Sequence, residues 1–328
     1  MKEKVKEIIK KYNLINSGDK IVLGVSGGPD SIAMLDILRQ LKSEMEFEIY
    51  VVHINHSIRG EDADEDEEYV KNYCRKYEIE CFTKKIDVPT IARTEKIGTE
   101  EAGRKVRYEY FEEILKETGS NKIAIAHNKN DNVETIIMHL LRGSGISGLK
   151  GIEPIRENKF IKPLIECDRQ EIEKYCEENN LQPRIDKTNF ENECTRNKIR
   201  NIVIPYIKKE FNPNIIETMT RLSDVISSEN DFIENIAKEN YNKILVIEEK
   251  NRIELKLKEF NLLDEVLKNR IILISTRKLF GSTQGIEKVN IEDIIKLCNN
   301  NIGNKFLMPN KNLKVLIQNK KINFIKID

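Results

Sequence analysis

Residues 20–31 read KIVLGVSGGPDS, and the reading of the whole chain starts from them. Residues 20–25 are a short apolar, β-branched run, the pattern of a buried parallel strand. The run ends in Ser26-Gly27-Gly28-Pro29-Asp30-Ser31, after which Ile32, Ala33, Leu35, Ile37, Leu38 and Leu41 recur at helical spacing. Strand, glycine turn and helix follow one another without spare residues. That makes an anion cradle, in which backbone N–H groups, two hydroxyls and a helix N-terminus converge on one point. The glycines let backbone approach ligand, and Pro29 and Asp30 suit a first helical turn. The Walker A loop is excluded, because it needs G-x-x-x-x-G-K-[ST] and no lysine stands here.

With 328 residues, two domains are the default expectation. Hydrophobic residues at 39% and charged residues at 34% describe a globular protein with a heavily charged surface. Lys+Arg and Asp+Glu both total 55, so overall charge points to no partner and only its local distribution can. No apolar run approaches a membrane span, and residues 1–11 read as a charged amphipathic helix, not a signal sequence. The six cysteines form no C-x-x-C pair and read as reduced thiols. The expected location is the cytoplasm, with no membrane partner.

Further strands are expected at residues 48–54 (EIYVVHI), 80–86 (ECFTKKI) and 122–126 (KIAIA). The first delivers His53, Asn55, His56 and Arg59 to its C-terminal end, the edge where open α/β sheets bind ligands. The acidic run 61–68 reads as a solvated helix start. Residues 99–116 read as a helix with Arg104 and Arg107 on a face beside the apolar one, and a helix from the cluster 127–134 to Arg142 follows the 122–126 strand. Four strand–helix pairs in series predict an α/β fold with a doubly wound, mostly parallel sheet and its site at the strand ends. Residues 143–148 match G-x-G-x-x-G, but a helix precedes them, so a mobile glycine loop is expected in place of a dinucleotide site.

A helix is expected from Asp168, and another from Thr195 to near Pro205, with Arg196 and Arg200 on one face, suited either to phosphates or to acids. Composition shifts after Asn212-Pro213-Asn214. Residues 1–212 are therefore expected to form the catalytic domain, and 213–328 a connector helix plus a smaller mixed α+β domain. Residues 305–327 read as hairpin-like strands carrying Lys305, Lys311, Lys314, Lys320, Lys321 and Lys326. A surface for nucleic-acid backbone and lysine-edged strands that resist aggregation are equally good readings.

Ser26 to Ser31 resembles the S-G-G-x-D-S signature of PP-loop ATP pyrophosphatases, which break ATP between its α and β phosphates. Other segments resemble the tRNA(Ile)-lysidine synthetase family within that class. His53-Ile54-Asn55-His56-Ser57-Ile58-Arg59 is similar to its H-x-N-H-x-L-R segment. Glu101-Ala102-Gly103-Arg104-Lys105-Val106-Arg107-Tyr108 is similar to its E-A-A-R-x-x-R-Y helix. Ala126-His127 through Thr135, then Arg142-Gly143-Ser144-Gly145, resembles its A-H-H-x-D-D-Q-x-E-T…R-G-S-G block. Lys162-Pro163-Leu164, Asp186 with Asn189, and Arg196-Asn197…Arg200 with Pro205 fit its later pattern. The likeness runs in order over about the first 205 residues and is looser beyond. Longer members carry a further C-terminal domain, so this chain is expected to be a short member or a piece of a longer one. Asn128, Asn130 and Asn132 stand where the family has His, Asp and Gln.

The resemblance implies adenylation of C2 of the wobble cytidine of tRNA(Ile) with a CAU anticodon. Free L-lysine then attacks to give lysidine and AMP. It implies ATP and Mg²⁺ as cofactors, the turn Ser26, Gly27, Gly28, Pro29, Asp30 and Ser31 with His53 and Asn55 for ATP, and Asp30 for the metal. Asp131 and Glu134 would hold lysine and assist its deprotonation. Arg104, Arg107, Arg196 and Arg200 would stabilise charge on the transferring group or grip the tRNA, with His56, Arg59, His127 and Arg142 also facing substrate. A homodimer is an allowed assembly. Two other readings stand beside this one: a PP-loop tRNA thiolase, and a non-catalytic nucleotide- or tRNA-binding protein suggested by Asn128 and Asn130.

Overall fold

The apolar run that opens the sequence forms β1 (Lys20–Gly24), with Ile21, Val22 and Leu23 fully buried. The computed structural model describes residues 1–58, 60–184, 194–283, 285–300 and 305–327. They fall into two compact units, Met1–Asp224 and Val225–Asp328.

In the first unit the elements are α1 (Lys2–Lys11), β1, α2 (Pro29–Met45), β2 (Glu48–Asn55), α3 (Glu61–Lys76), β3 (Cys81–Lys85), α4 (Val88–Glu95), α5 (Thr99–Glu117), β4 (Lys122–Ile125), α6 (Lys129–Leu141), α7 (Ile146–Leu149), β5 (Ile155–Arg156), β6 (Phe160–Ile161) and α8 (Arg169–Glu178). Then come α9 (Thr195–Lys198), a π-helical turn (Ile199–Val203), α10 (Ile204–Glu210) and α11 (Ile215–Ile244), which runs through the division.

The sheet order is β3-β2-β1-β4-β6-β5. All neighbours are parallel except the short hairpin partner β5, which the sequence pattern did not reveal. Strand order reverses at β1, with β2 on one side and β4 on the other, so the crevice that such sheets use for ligands opens where residues 26–31 leave β1. Alternation along the strands divides the core into two layers. Ile21, Leu23, Val51, Ala124 and Ile161 face the side packed by α1, α2, α3 and α8, and Val22, Val52, Ile123 and Phe160 face Tyr110, Phe111 and Ile114 of α5. Gly24 makes the second layer fit, because a Cβ there would lie 2.5 Å from the Phe111 ring.

Three expectations need correction. The stretch 143–148 is not all loop, since Gly145 precedes the one-turn helix α7. The helix beginning at Thr195 does not stop at Pro205. The wide π turn ends before α10, and Pro205 sits in the first turn of α10, where its missing N–H breaks no regular bond. The acidic run is not wholly solvated, because Asp66 is buried and pairs with Arg184 at 3.4 Å.

The second unit is an antiparallel sheet with helices, as the mixed α+β expectation has it. β7 (Leu245–Glu249), β8 (Arg252–Lys256), β9 (Lys305–Asn310), β10 (Leu313–Gln318) and β11 (Lys321–Lys326) pair in the order β7-β8-β11-β10-β9. Ile253, Leu255, Leu313, Val315, Ile317, Ile322 and Phe324 lie on its apolar face, packed with α12 (Leu257–Asn261), α13 (Glu265–Phe280) and α14 (Lys288–Asn299). The alternate positions are polar: Glu254 and Asn323 both meet Arg252, and Lys321 reaches Glu254 at 2.8 Å.

Candidate active site

The turn after β1 is shaped by its own hydroxyl. Ser31 Oγ accepts from the N–H groups of Ser26 and Gly27 at 3.1 and 3.2 Å and donates to the Gly28 carbonyl at 3.0 Å. Gly27 stands at φ +95°, which a side chain would strain. The first α2 bond runs from Ile32 N–H to the Gly28 carbonyl, so the N–H groups of Asp30 and Ser31 in the first turn have no intrahelical acceptor. This donor set fits a polyphosphate. The backbone of Arg184 closes the far side, its N–H on the Gly27 carbonyl at 2.9 Å.

Asp30 follows at the mouth of the turn. Asn128 Nδ2 donates to its Oδ1 at 2.9 Å. Burial, and then the Asp131 carboxylate, push the Asp30 pKa up to about 6, against that hydrogen bond and the charges of Arg169 and Arg200. Asn128 is fully buried and is also the N-cap of α6. Its Oδ1 accepts from Asp131 N–H at 2.9 Å, while Asp131 Oδ2 accepts from Asn128 N–H at 3.1 Å. One amide side chain therefore ties the β1 turn to the acidic end of α6.

Asp131 and Glu134 share a face of α6, as their spacing predicts, but neither carboxylate stands bare. Arg200 donates to Glu134 at 2.6 and 2.8 Å and to Asp131 at 3.0 Å. Arg196 meets Glu134 at 3.2 Å and Thr135 Oγ1 at 2.9 Å, and Arg169 lies 3.5 Å from Glu134 and 3.8 Å from Asp131. Of the two readings for Arg196 and Arg200, pairing with acids is what the geometry displays. Burial disfavours the charge on Arg200, yet the hydrogen bonds and charge of Glu134 hold its pKa above the ordinary value. Three guanidinium groups against two carboxylates suit a zwitterion, whose carboxylate meets an arginine and whose ammonium meets an acid.

The remaining expected residues divide. His53 is buried with Nδ1 2.9 Å from the Val25 carbonyl, and burial lowers its pKa. Asn55 donates to Asp64 at 2.7 Å and accepts from Ser57 N–H, so it holds the end of β2 to α3. His56 packs beside Gly103 of α5, where a Cβ would stand 3.8 Å from its ring. His127 is adjacent to the acid pair, and burial presses its pKa down to about 4. Arg104 is exposed with its guanidinium 5.3 Å from the Tyr108 ring. Arg107 keeps an open surface, while the atoms around it desolvate its charge and lower its pKa. Arg142 caps the other end of α6, roughly 16 Å along the axis from Asp131, and does not join the cluster. Arg59, Asp186 and Asn189 lie outside the described residues.

Arg169 and the linking role of Asn128 were not foreseen. Arg169 follows the N-cap Asp168, and its N–H is held at 3.0 Å by Asn130 Oδ1. The asparagines at 128 and 130 thus have structural work that histidine and aspartate would do differently. Asn132 likewise accepts from Ile152 N–H at 2.6 Å and fastens the segment after α7.

A nucleotide-cradling turn at the switch point of a doubly wound sheet defines a class, and residues 1–207 match the family model described as a PP-loop domain. The tRNA(Ile)-lysidine synthase of Clostridioides difficile (strain 630) is 46% identical over 95% of this chain and 68% of its own length. That of Clostridium acetobutylicum is 45% identical over 92% of this chain and 65% of its own. The chain belongs to the tRNA(Ile)-lysidine synthase family. It spans about two-thirds of the length of these relatives. Among solved structures, a U34-tRNA thiolase, NcsA from Methanococcus maripaludis with its [4Fe-4S] cluster, has a TM-score of 0.57 at 18% identity over 69% of this chain and 78% of that one, a likeness of fold alone.

Proposed function

We propose that the chain forms lysidine. ATP would adenylate C2 of the wobble cytidine of a CAU-anticodon tRNA(Ile) with loss of pyrophosphate, and free L-lysine would then displace AMP. The observation that carries this reading is the acid pair Asp131 and Glu134, ringed by Arg169, Arg196 and Arg200 and tied to Asp30 through Asn128. It supports a reading in which an amino-acid site lies beside a polyphosphate site. The names of the relatives favour this ligase over the thiolase.

In this reading the turn 26–31 holds the phosphates that leave, with the first-turn N–H groups of α2 neutralising their charge. Mg²⁺, when bound, would supply a further positive charge to those phosphates. Among the described residues no group of three His, Cys, Asp or Glu side chains is arranged for a metal, so Asp30 would hold the ion together with phosphate oxygens. Asp131 and Glu134 would orient the ammonium groups of lysine and accept the proton that frees its ε-amine, since the neutral amine is the nucleophile. The arginine trio would take the lysine carboxylate. Arg104 and Arg107, outside that trio, remain for RNA. The reaction belongs in the cytoplasm, where tRNA is found; among the described residues no helix is long and apolar enough to cross a membrane.

The test is pyrophosphate release from ATP with tRNA(Ile) bearing CAU, with and without lysine, followed by mass analysis of the nucleosides. A lysine-sized gain on cytidine is expected, and a sulfur-for-oxygen gain overturns the reading in favour of the thiolase. In the same assay Asp131→Asn should raise the KM for lysine by roughly tenfold while ATP affinity stays within about twofold. Unchanged lysine dependence removes Asp131 from the lysine site.

A further inference from the structure

Lys162 is a buried cation that no carboxylate of the described residues contacts. It follows β6 directly, and β6 runs parallel to β4 with Ile123 opposite Phe160 and Ala124 opposite Ile161. Phe160 and Ile123 belong to the layer under α5, and Ile161 and Ala124 to the opposite layer. Strand alternation therefore turns Lys162 to the α5 side at the ligand-binding edge, the same side as His127 two residues beyond β4. The Lys162 N–H is fastened to the Pro154 carbonyl at 2.9 Å. The residue is 5% exposed, and its ammonium reaches the Phe160 carbonyl at 3.3 Å. Among the described residues no carboxylate lies within ion-pair distance of it, which for a buried lysine is costly.

The groups that face Lys162 are Arg104 from α5, Glu153, Arg156 and Glu157 from the segment before β6, and His127 beyond β4. Burial first, then the Arg156 charge, lowers its pKa to about 8, with Glu153 and Glu157 resisting. His127 Nδ1 is buried without a hydrogen-bond partner among the described residues. The Arg156 guanidinium lies 5.1 Å from the Tyr108 ring and 4.5 Å from that of Phe160, the two rings meeting edge-on at 5.1 Å. An ammonium that no carboxylate contacts among the described residues, an imidazole nitrogen without a partner among them and arginines stacked on aromatic rings make an anion subsite.

We infer that Lys162 and His127, with Arg104 near the first and Arg107 near the second, bind a phosphate ester of the substrate. The inference rests on the proposed function and deepens it, since that reading leaves Lys162 without a role. The ester comes either from the nucleotide or from the RNA backbone next to the reacting base, and the chemistry that recognises it is the same.

Two binding measurements distinguish the sources: calorimetry with α,β-methylene-ATP alone, and fluorescence anisotropy with a CAU anticodon stem-loop RNA alone. Lys162→Met replaces a buried charge by an apolar chain of similar length and should not lower the melting temperature. It is expected to weaken one ligand by roughly tenfold or more at pH 7 and leave the other unchanged, and the weakened one names the source. Wild-type affinity for that ligand should fall between pH 7 and pH 9 as Lys162 loses its proton, whereas Lys162→Arg should bind without that fall, because arginine stays charged. Wild-type protein that binds neither ligand overturns the proposed function and this inference together. Wild-type binding matched by Lys162→Met overturns this inference alone, as does an unaltered pH profile in Lys162→Arg. Should Lys162→Met not fold, the profile of Lys162→Arg against wild type decides the matter.

Discussion

His127 illustrates how a single side chain carries the electrostatics of the site. Burial presses its pKa from 6.5 to about 4; the Asp131 carboxylate resists, and Arg196, Lys162 and Arg107 press further. A folded pKa below the unfolded one means that the native state wants the neutral ring. The stability this contributes is complete above about pH 6.5 and drains away as pH falls toward 4. Between pH 7 and pH 4.5 the wild type should therefore lose about 2 kcal/mol more unfolding free energy than His127→Gln, read from denaturant titrations at the two pH values. Equal losses would mean that the ring is solvated in the native state. His127 was a candidate from its place at the end of the 122–126 strand, and that much was legible. The surroundings of its ring were not, because a polar residue after an apolar run looks the same whether water or other side chains surround it.

Among elements, α2, α3 and α8 are joined by one carboxylate that no motif announced. Asp36 sits in an otherwise apolar face of α2 and is 2% exposed. It accepts from Tyr73 at 2.6 Å, Tyr175 at 2.7 Å, Arg39 at 2.7 Å and Gln40 at 2.8 Å. These bonds outweigh its burial, and its pKa lies below the usual aspartate value. Asp36→Ala leaves two buried phenols without their acceptor and should cost roughly 2–4 kcal/mol in chemical unfolding, with nucleotide affinity per folded molecule unaltered. A loss under about 0.5 kcal/mol would show that water replaces the carboxylate. Helical periodicity marks the apolar positions around Asp36 as core but is silent about this aspartate and about which hydroxyls complete it. The phenols come from α3 and α8, 37 and 139 residues away.

On the scale of the whole chain, the two units differ in how much of their chemistry can be read. Residues 1–207 of the first match the PP-loop family model, and β1, β2, β4 and β6 end at residues that a motif names. The second shows a lysine-rich sheet in which the lysines do different things. Lys321 is held by buried Glu254, and Lys314 and Lys326 lie over the rings of Phe306 and Phe280. Lys305, Lys311 and Lys320 are exposed. Of these, Lys305 is on edge strand β9, and Lys320 is in the turn before central β11, where edge protection explains nothing. The nucleic-acid reading therefore gains for Lys320. Changing Lys305, Lys311 and Lys320 to Glu together should weaken tRNA binding and reduce the slope of log affinity against log salt by about 3, with ATP binding untouched. An unchanged slope would leave these lysines with solubility as their role.

The amino-acid sequence by itself determined the strand–turn–helix at residues 20–31, the doubly wound parallel sheet and the family. These rest on local signals, on periods of two and 3.6 residues and on glycines with a fixed job, which neighbours in the chain suffice to express. Only the tertiary structure decided which charges meet. Arg200 reaches Glu134 across 66 positions, Asn128 reaches Asp30 across 98, and Lys162 reaches no carboxylate at all among the described residues. Ion pairing depends on distance and on the dielectric around each group, and both are set when the chain closes on itself. The turn at residues 26–31 is a property of six consecutive residues; the site beside it is a property of the fold.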